Sequence, residues 1–332
     1  MRVGIDARKI ADFGIGSYIR GLLGALVELD GDDEYVAFAP AGAPLPAGIE
    51  HVVVDAPHYS LRELVVMGRA ARRARLDVFH APHYVVPFTG AVPVVVTIHD
   101  LIHLHQPQRN PFARLYAGAM LRRAVGKARA VLTVSESVRE ELERELGAKK
   151  VFVTPNGIDP LFTADGPRAE GRYFLYAGND KPHKNVSALV EAFVRVRAAL
   201  PEVTLVLTGA PFARFAEREG IVTPGFVTNA ELAALYRGAL ALVLPSAEEG
   251  FGLPAVEAMA CGAAVITSRA AALVEVTGDA AVHVAPEPDA LAAAMLDIAR
   301  EASPSSKGRL RAAQFTWKRC AEATRHAYRS AV

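Results

Sequence analysis

Cysteine is nearly missing: a chain of 332 residues holds two, Cys261 and Cys320. Neither stands in a Cys-x-x-Cys pair or at metal-ligand spacing from histidines, so a disulfide framework and a structural zinc site are both excluded. Small apolar neighbours in Ala260-Cys261-Gly262 mark Cys261 as a buried structural thiol rather than a nucleophile. No apolar run reaches the roughly 18–20 residues of a membrane-spanning helix. No sign of charge dominates either. The formal net charge is +1, from 37 Lys and Arg against 36 Asp and Glu, so no global field calls for a nucleic-acid partner. From Met1 the chain runs straight into the apolar Val3-Gly4-Ile5, which leaves no room for a signal peptide and suits a cytoplasmic protein. Internal repeats, long low-complexity tracts and a phosphate loop of the Gly-x-x-x-x-Gly-Lys-Ser/Thr kind are all missing.

What is present is apolar sequence in short pieces. About half of the residues are hydrophobic (51%). The length exceeds the roughly 250–300 residues at which a single core stops growing, so two domains are expected. Continuously apolar runs such as Val3–Asp6, Val92–Thr97, Ala130–Val134, Phe174–Ala177 and Leu240–Leu244 fit strands covered on both faces. Amphipathic stretches such as Ser17–Glu28, Leu61–Arg73, Val186–Ala199 and Pro254–Met259 alternate with them. That alternation predicts α/β architecture with doubly wound parallel sheets. Residues Asp159–Arg172 carry Pro, Gly and Asp without an apolar period and read as an inter-domain linker. A second pause, Ser303–Gly308, precedes a terminal helix from Phe315 to about Ser330. The expected division is 1–160, 161–313 and the closing helix 314–332.

Ligands of such sheets bind beyond the carboxyl ends of the strands, so residues just after strands are the candidates. Gly14-Ile15-Gly16-Ser17-Tyr18 precedes a helix and suits a phosphate at a helix N-terminus, or simply a capped loop. His99-Asp100 closes an apolar strand, where it can touch substrate or cap the strand end. His103 and His105 follow, but no acidic pattern completes a metal site. Asn179-Asp180-Lys181-Pro182-His183-Lys184-Asn185 sets two lysines and a histidine before a helix, which suits a pyrophosphate or an ordinary solvated loop. The most informative stretch is Glu249-Gly250-Phe251-Gly252-Leu253-Pro254-Ala255-Val256-Glu257. Its glycines and Pro254 frame a helix N-terminus able to take phosphate oxygens. Glu257 is placed to accept hydrogen bonds from a ribose diol, and Glu249 to reach a sugar. Asp30-Gly31-Asp32-Asp33 reads as a solvated turn. Two helices are basic: Arg62, Arg69, Arg72, Arg73 and Arg75 with only Glu63 opposing, then Arg114, Arg122, Arg123, Lys127 and Arg129. They fit either solvated faces or docking on anionic lipid at the inner side of a membrane.

The Glu249–Glu257 segment with the following Ala-Met-Ala-Cys-Gly resembles the signature of retaining glycosyltransferases of family 4. Further pieces match in order: GIGSYIRGLL, TIHDLIH, TVSESV, PNGID, YAGNDKPHKN, Gly225-Phe226-Val227 before ELAALYRGA, and the closing FTWKRCAEAT. The resemblance covers nearly the whole chain. It implies a GT-B fold of two facing Rossmann-like domains, with the terminal helix crossing back to the first, and a nucleotide-sugar donor held without a metal or other cofactor. It implies that Glu257 holds the ribose and that Glu249 with the Gly250, Phe251, Gly252 and Leu253 backbone meets sugar and phosphate. Lys184 takes the diphosphate, Gly16 faces it, His99 lies beside the sugar, and Phe226 and Val227 border the base. Where many members carry an arginine, this chain offers Lys181 or His183 as the second cation. The acceptor implied is a bacterial glycan or a lipid-linked intermediate, and the donor GDP-mannose, with UDP-, dTDP- and ADP-sugars open. Two alternatives share these features: a sugar-nucleotide epimerase of the same fold, and a non-catalytic subunit that binds nucleotide sugar.

Overall fold

Strands without a polar position are stable only inside a sheet covered on both faces, and the fold supplies two such sheets. The computed structural model describes residues 1–12, 14–56, 61–105, 111–301 and 306–332. The chain divides into two compact units, Met1–Gly157 with Thr316–Val332, and Ile158–Phe315.

The first unit runs β1 (Arg2–Asp6), α1 (Ile15–Val27), β2 (Glu34–Ala39), β3 (Glu50–Val53), α2 (Leu61–Arg73), β4 (Val78–Ala81), β5 (Val94–Thr97), α3 (Ile102–His105), α4 (Pro111–Lys127), β6 (Ala130–Thr133), α5 (Glu136–Leu146) and β7 (Val151–Val153). Its seven strands lie in the order β3-β2-β1-β4-β5-β6-β7, all parallel. The second unit runs β8 (Tyr173–Ala177), a 3-10 turn Pro182–Lys184, α6 (Val186–Ala199), β9 (Thr204–Thr208), β10 (Ile221–Gly225), α7 (Asn229–Gly238), β11 (Ala241–Leu244), α8 (Leu253–Ala260), β12 (Ala264–Ser268), α9 (Ala271–Thr277), β13 (Val282–Val284), α10 (Pro288–Glu301) and α11 (Ser306–Ala312). Six strands lie in the order β10-β9-β8-β11-β12-β13, again parallel. Both are Rossmann-like doubly wound sheets. In each, the strand order reverses once near the middle, between β1 and β4 and between β8 and β11.

The closing helix α12 (Trp317–Ala331) packs into the first unit. Cys320, Ala321, Ala327 and Tyr328 are buried in the same core as α1 and β1. A Cβ on Gly21 of α1 would meet the Trp317 ring at 2.0 Å, so glycine lets the indole lie directly on the α1 backbone. Below it, His80 sits with its ring nitrogens 2.7 Å from the Tyr328 hydroxyl and 2.7 Å from the Thr97 hydroxyl. Burial pushes the His80 pKa down to about 3, so the ring is neutral and donates to one hydroxyl while accepting from the other.

The structure departs from the sequence reading in several places. Strand β10 was not expected: it carries Pro224 and Gly225 and lies at a sheet edge, where only one neighbour needs its backbone groups. Ser306–Ala312 forms α11, so the pause expected over Ser303–Gly308 ends in helix; Ser303, Pro304 and Ser305 lie outside the described residues. Asp159–Arg172 holds neither helix nor strand, yet it is no loose tether. The Arg237 guanidinium of α7 donates to the carbonyls of Leu161, Thr163 and Pro167. Asp33 does not stand free in a solvated turn, because the Met1 ammonium binds it at 2.8 Å. Glu63 does not oppose the arginines of α2: it is buried and paired with Arg8.

Candidate active site

In the second unit the strand order turns at β8 and β11, and the loops leaving these strands carry the candidates. After β8 the Tyr176 hydroxyl donates to the Asn179 carbonyl, and Asn179 Oδ1 accepts from the Lys181 backbone N–H. Asp180 takes two bonds from the Arg214 guanidinium. These contacts shape the loop into the turn Pro182–Lys184, which ends at Asn185 with φ 54°. Lys181 points outward and His183 is buried. The His183 carbonyl accepts from the Ala247 N–H and so ties this loop to the one after β11.

The second loop supplies the partner. Lys184 Nζ lies 2.6 Å from Glu249 Oε1, and Ser246 Oγ donates to the same oxygen at 2.8 Å. The loop then enters α8 through Gly252, whose φ of 93° puts it in the left-handed region. A Cβ there would sit 2.4 Å from Leu273 Cδ2, so glycine answers both the backbone angle and the space. Phe251 turns its ring inward, edge-on to Phe315 at 5.4 Å, leaving only its backbone for a ligand. Leu253 and Pro254 open the helix: Pro254 carries no N–H and the Ala255 N–H goes to the Gly252 carbonyl at 2.9 Å, so what the helix start offers an anion is chiefly the positive end of its dipole.

Glu257, in the body of α8, is largely buried. The Tyr236 hydroxyl from α7 donates to its Oε2 at 3.0 Å. Burial pushes the carboxyl up to about 7, outweighing that hydrogen bond, with the nearby Asp159 charge adding to the rise. Gly225 ends edge strand β10, and Phe226 and Val227 follow it, with Phe226 64% exposed. The capping box of Thr228 and Glu231 starts α7 immediately after them.

The first unit holds the remaining candidates. Gly14 caps α1 with φ 68° and no side chain to donate or accept. Gly16 lies within the first turn, where a Cβ would meet the Ile10 carbonyl at 2.7 Å; its glycine character answers packing against the preceding loop. His99 follows β5 half-buried, with Nε2 3.0 Å from the Pro82 carbonyl. A carbonyl only accepts, so Nε2 carries the proton and Nδ1 of the neutral ring is the accepting atom. Burial lowers the His99 pKa, and the Tyr18 ring supports it edge-on at 4.8 Å. Asp100 accepts from the Ile102 N–H through Oδ1 and so caps α3. His105 pairs with Glu145 at 2.9 Å.

Sequence reasoning passed over three groups. Ser246 and Tyr236 orient the two glutamates, yet each lies in a stretch where serine or tyrosine has many ordinary roles. The third is a buried charge cluster at the switch point of the first sheet. Arg8 Nη2 lies 2.6 Å from both Asp6 Oδ2 and Glu63 Oε1. Burial alone would raise the Asp6 pKa, but the Arg8 and His83 contacts hold it well below the usual range. Asp6, Glu63 and His83 bring ligand atoms within 4.8 Å of one another, but the Arg8 guanidinium already bridges the two carboxylates. Glu63 stands 55 residues from Arg8, so no local pattern announces the pair.

Two parallel doubly wound units, with an acid–lysine pair at the second switch point, define a Rossmann-like α/β fold class. Comparison with known proteins places it further. Residues 14–161 match the model of Glycosyltransferase Family 4, and residues 171–301 match that of Glycosyl transferases group 1. The O-antigen chain mannosyltransferase B of Escherichia coli is 30% identical over 285 residues, 76% of this chain and 74% of that one. The MMP alpha-(1->4)-mannosyltransferase of Mycolicibacterium hassiacum is 32% identical over 311 residues, 82% and 75% of the two chains. Among solved structures, sucrose-phosphate synthase from Thermosynechococcus elongatus superposes with TM-score 0.79 at 20% identity, over 99% of this chain and 98% of that one. Anabaena HepE, solved in complex with UDP and glucose, gives TM-score 0.75 at 18% identity, over 99% and 100%. The chain belongs to the family 4, group 1 glycosyltransferases and has their GT-B fold.

Proposed function

We propose that this glycosyltransferase moves mannose from GDP-mannose to a glycan or lipid-linked acceptor, with retention of configuration and without a metal. The observation that carries the reading is the Lys184–Glu249 pair beside the α8 N-terminus, with Glu257 one helix turn deeper. In this reading Glu257 accepts from the ribose hydroxyls, while Lys184 and the positive N-terminal end of α8 take the diphosphate. Glu249 Oε2 accepts from the sugar, and Phe226 with Val227 borders the base. Lys181, exposed on the same loop, supplies the second cation for the diphosphate in place of the buried His183. The departing diphosphate is stabilised by Lys184 and the helix dipole, which already neutralise charge there. A carboxylate nucleophile is not required: the acceptor hydroxyl attacks the oxocarbenium-like carbon from the face the phosphate leaves, and the phosphate oxygen takes its proton. The mannosyl choice draws on the two mannosyltransferase relatives. Incubating GDP-mannose with the enzyme, a lipid-linked glycan acceptor and EDTA tests it. An α-linked product by NMR is expected; a β-linked product, or dependence on added magnesium, overturns the reading. Turnover of UDP-glucose instead replaces the donor only.

An anionic membrane surface is proposed as the second partner. A groove of about 600 Å³ in the first unit is lined by Arg72, Arg123, Lys127 and Arg129 with Phe88 at its mouth. Arg123 stacks over the half-exposed Phe88 ring at 4.8 Å. Co-sedimentation with vesicles containing phosphatidylglycerol, lost on Lys127→Glu with Arg129→Glu, is expected. Equal binding to neutral vesicles overturns it.

A further inference from the structure

Lys184 spends its charge inside the protein. Its ammonium lies 2.6 Å from Glu249 Oε1, and the side chains are 18% and 11% exposed. At that depth the attraction is screened far less than on a surface. The pair is tertiary: one partner follows β8, the other follows β11, on opposite sides of the switch in strand order. Ser246, buried, holds the shared oxygen in place with its own hydroxyl, so the carboxylate does not swing away when Lys184 moves. Glu249 therefore stands within the width of one ammonium of any phosphate that Lys184 grips. Two negative groups at such a separation repel strongly in a partly buried site.

We infer that Glu249 makes the site choose the intact sugar nucleotide over the spent nucleoside diphosphate. The inference rests on the reading above that Lys184 takes the diphosphate and Glu249 the sugar. With a hexose in place, its hydroxyls donate to Glu249, meet the carboxylate's charge and free Lys184 for the phosphates. Once the hexose has been transferred, the carboxylate is left with Lys184 and Ser246. It draws the ammonium back and repels the diphosphate, which speeds departure of the spent product. Lys184 is thus shared between an internal partner and the ligand, and the sugar decides which one holds it.

Isothermal titration of the full chain with GDP and GDP-mannose, and with UDP and UDP-glucose, tests this using the pair the wild type binds. Glu249→Gln should bind the nucleoside diphosphate about tenfold more tightly than wild type, the scale of one hydrogen bond to a charged group. The same variant should bind the sugar nucleotide no more tightly, so the preference for the loaded form collapses. Glu249→Ala should do the same and serves if the amide variant fails to fold, which the thermal midpoint reports. Lys184→Ala separates the two readings. If it weakens nucleoside diphosphate binding while both Glu249 variants also weaken it, the selection is wrong and the diphosphate role stands. If Lys184→Ala leaves that binding unchanged, or the wild type binds neither pair, the site reading itself falls and this inference with it.

Discussion

Glu257 and Arg8 show how a single buried charge answers to its neighbours. Burial holds the Glu257 carboxyl near 7, where an exposed glutamate ionises near 4.5. A ribose diol donates two strong, charge-assisted bonds to a carboxylate but only a weaker one to the carbonyl of a carboxylic acid, so nucleotide affinity should rise as pH climbs through about 7 and fall below it. Titrating the nucleotide across that range tests this; Glu257→Gln should give weak, flat binding. Tyr236→Phe should weaken binding and move the midpoint of the profile upward, since it removes a donor to the charged form. The linkage to stability has the opposite sign. A folded pKa raised above the unfolded value gives stability that is full below the unfolded pKa and is lost as pH rises through the folded one. Glu257→Gln should therefore raise the melting temperature at pH 8 more than at pH 5. Arg8 is the reverse case. Arg8→Ala leaves Asp6 and Glu63 buried without their shared partner, and urea denaturation should show a loss of about 3–5 kcal/mol.

At the scale of elements, short segments carry the site because strands and helices aim them. The entry to α8 depends on Gly252. Gly252→Ala forces a Cβ into Leu273 at a left-handed angle, and should cost about 1–3 kcal/mol by thermal unfolding together with a loss of nucleotide affinity. Restoring room with Leu273→Ala in the same chain should recover only the steric part. The closing helix is equally bound to its unit. Removing Thr316–Val332 exposes the faces of α1, β5, β6 and β7 against which this helix packs, with Cys320, Ala321, Ala327 and Tyr328 taken from the core. The truncated chain should be insoluble or show loss of near-ultraviolet circular dichroism, since a core of that size leaves no alternative cover. Most elements were legible because buried parallel strands are mainly apolar: β6, β8 and β11 read directly as such, and β1 by its Val3-Gly4-Ile5 centre. Strand β10 was hidden because edge strands tolerate proline, glycine and exposed positions. Helices α9 and α11, of seven residues each, are too short for a 3.6-residue period to stand out.

For the whole molecule, the division into two units has a measurable consequence. A nucleotide that binds the second unit stabilises that unit. At about 100 times its Kd it adds about 2.7 kcal/mol. Calorimetry with GDP should move the transition belonging to Ile158–Phe315 by several degrees. A ligand that moved only the other transition would relocate the site. In the described residues no helix is long and apolar enough to cross a membrane.

The sequence by itself determined the α/β class, the division of the apolar segments into two sheets, the glycine-framed helix start at Gly252, and the two glutamates that bracket it. Those follow from local rules: periodicity, backbone angles and the residues a helix N-terminus accepts. Only the tertiary structure decided that Lys184 and Glu249 share one oxygen, that Tyr236 holds Glu257, and that Arg8 reaches Glu63. Each of these joins groups 21 to 65 residues apart across packed elements. Charge neighbours and burial are properties of the packed core, where the low dielectric gives them their strength, and no window of sequence contains them.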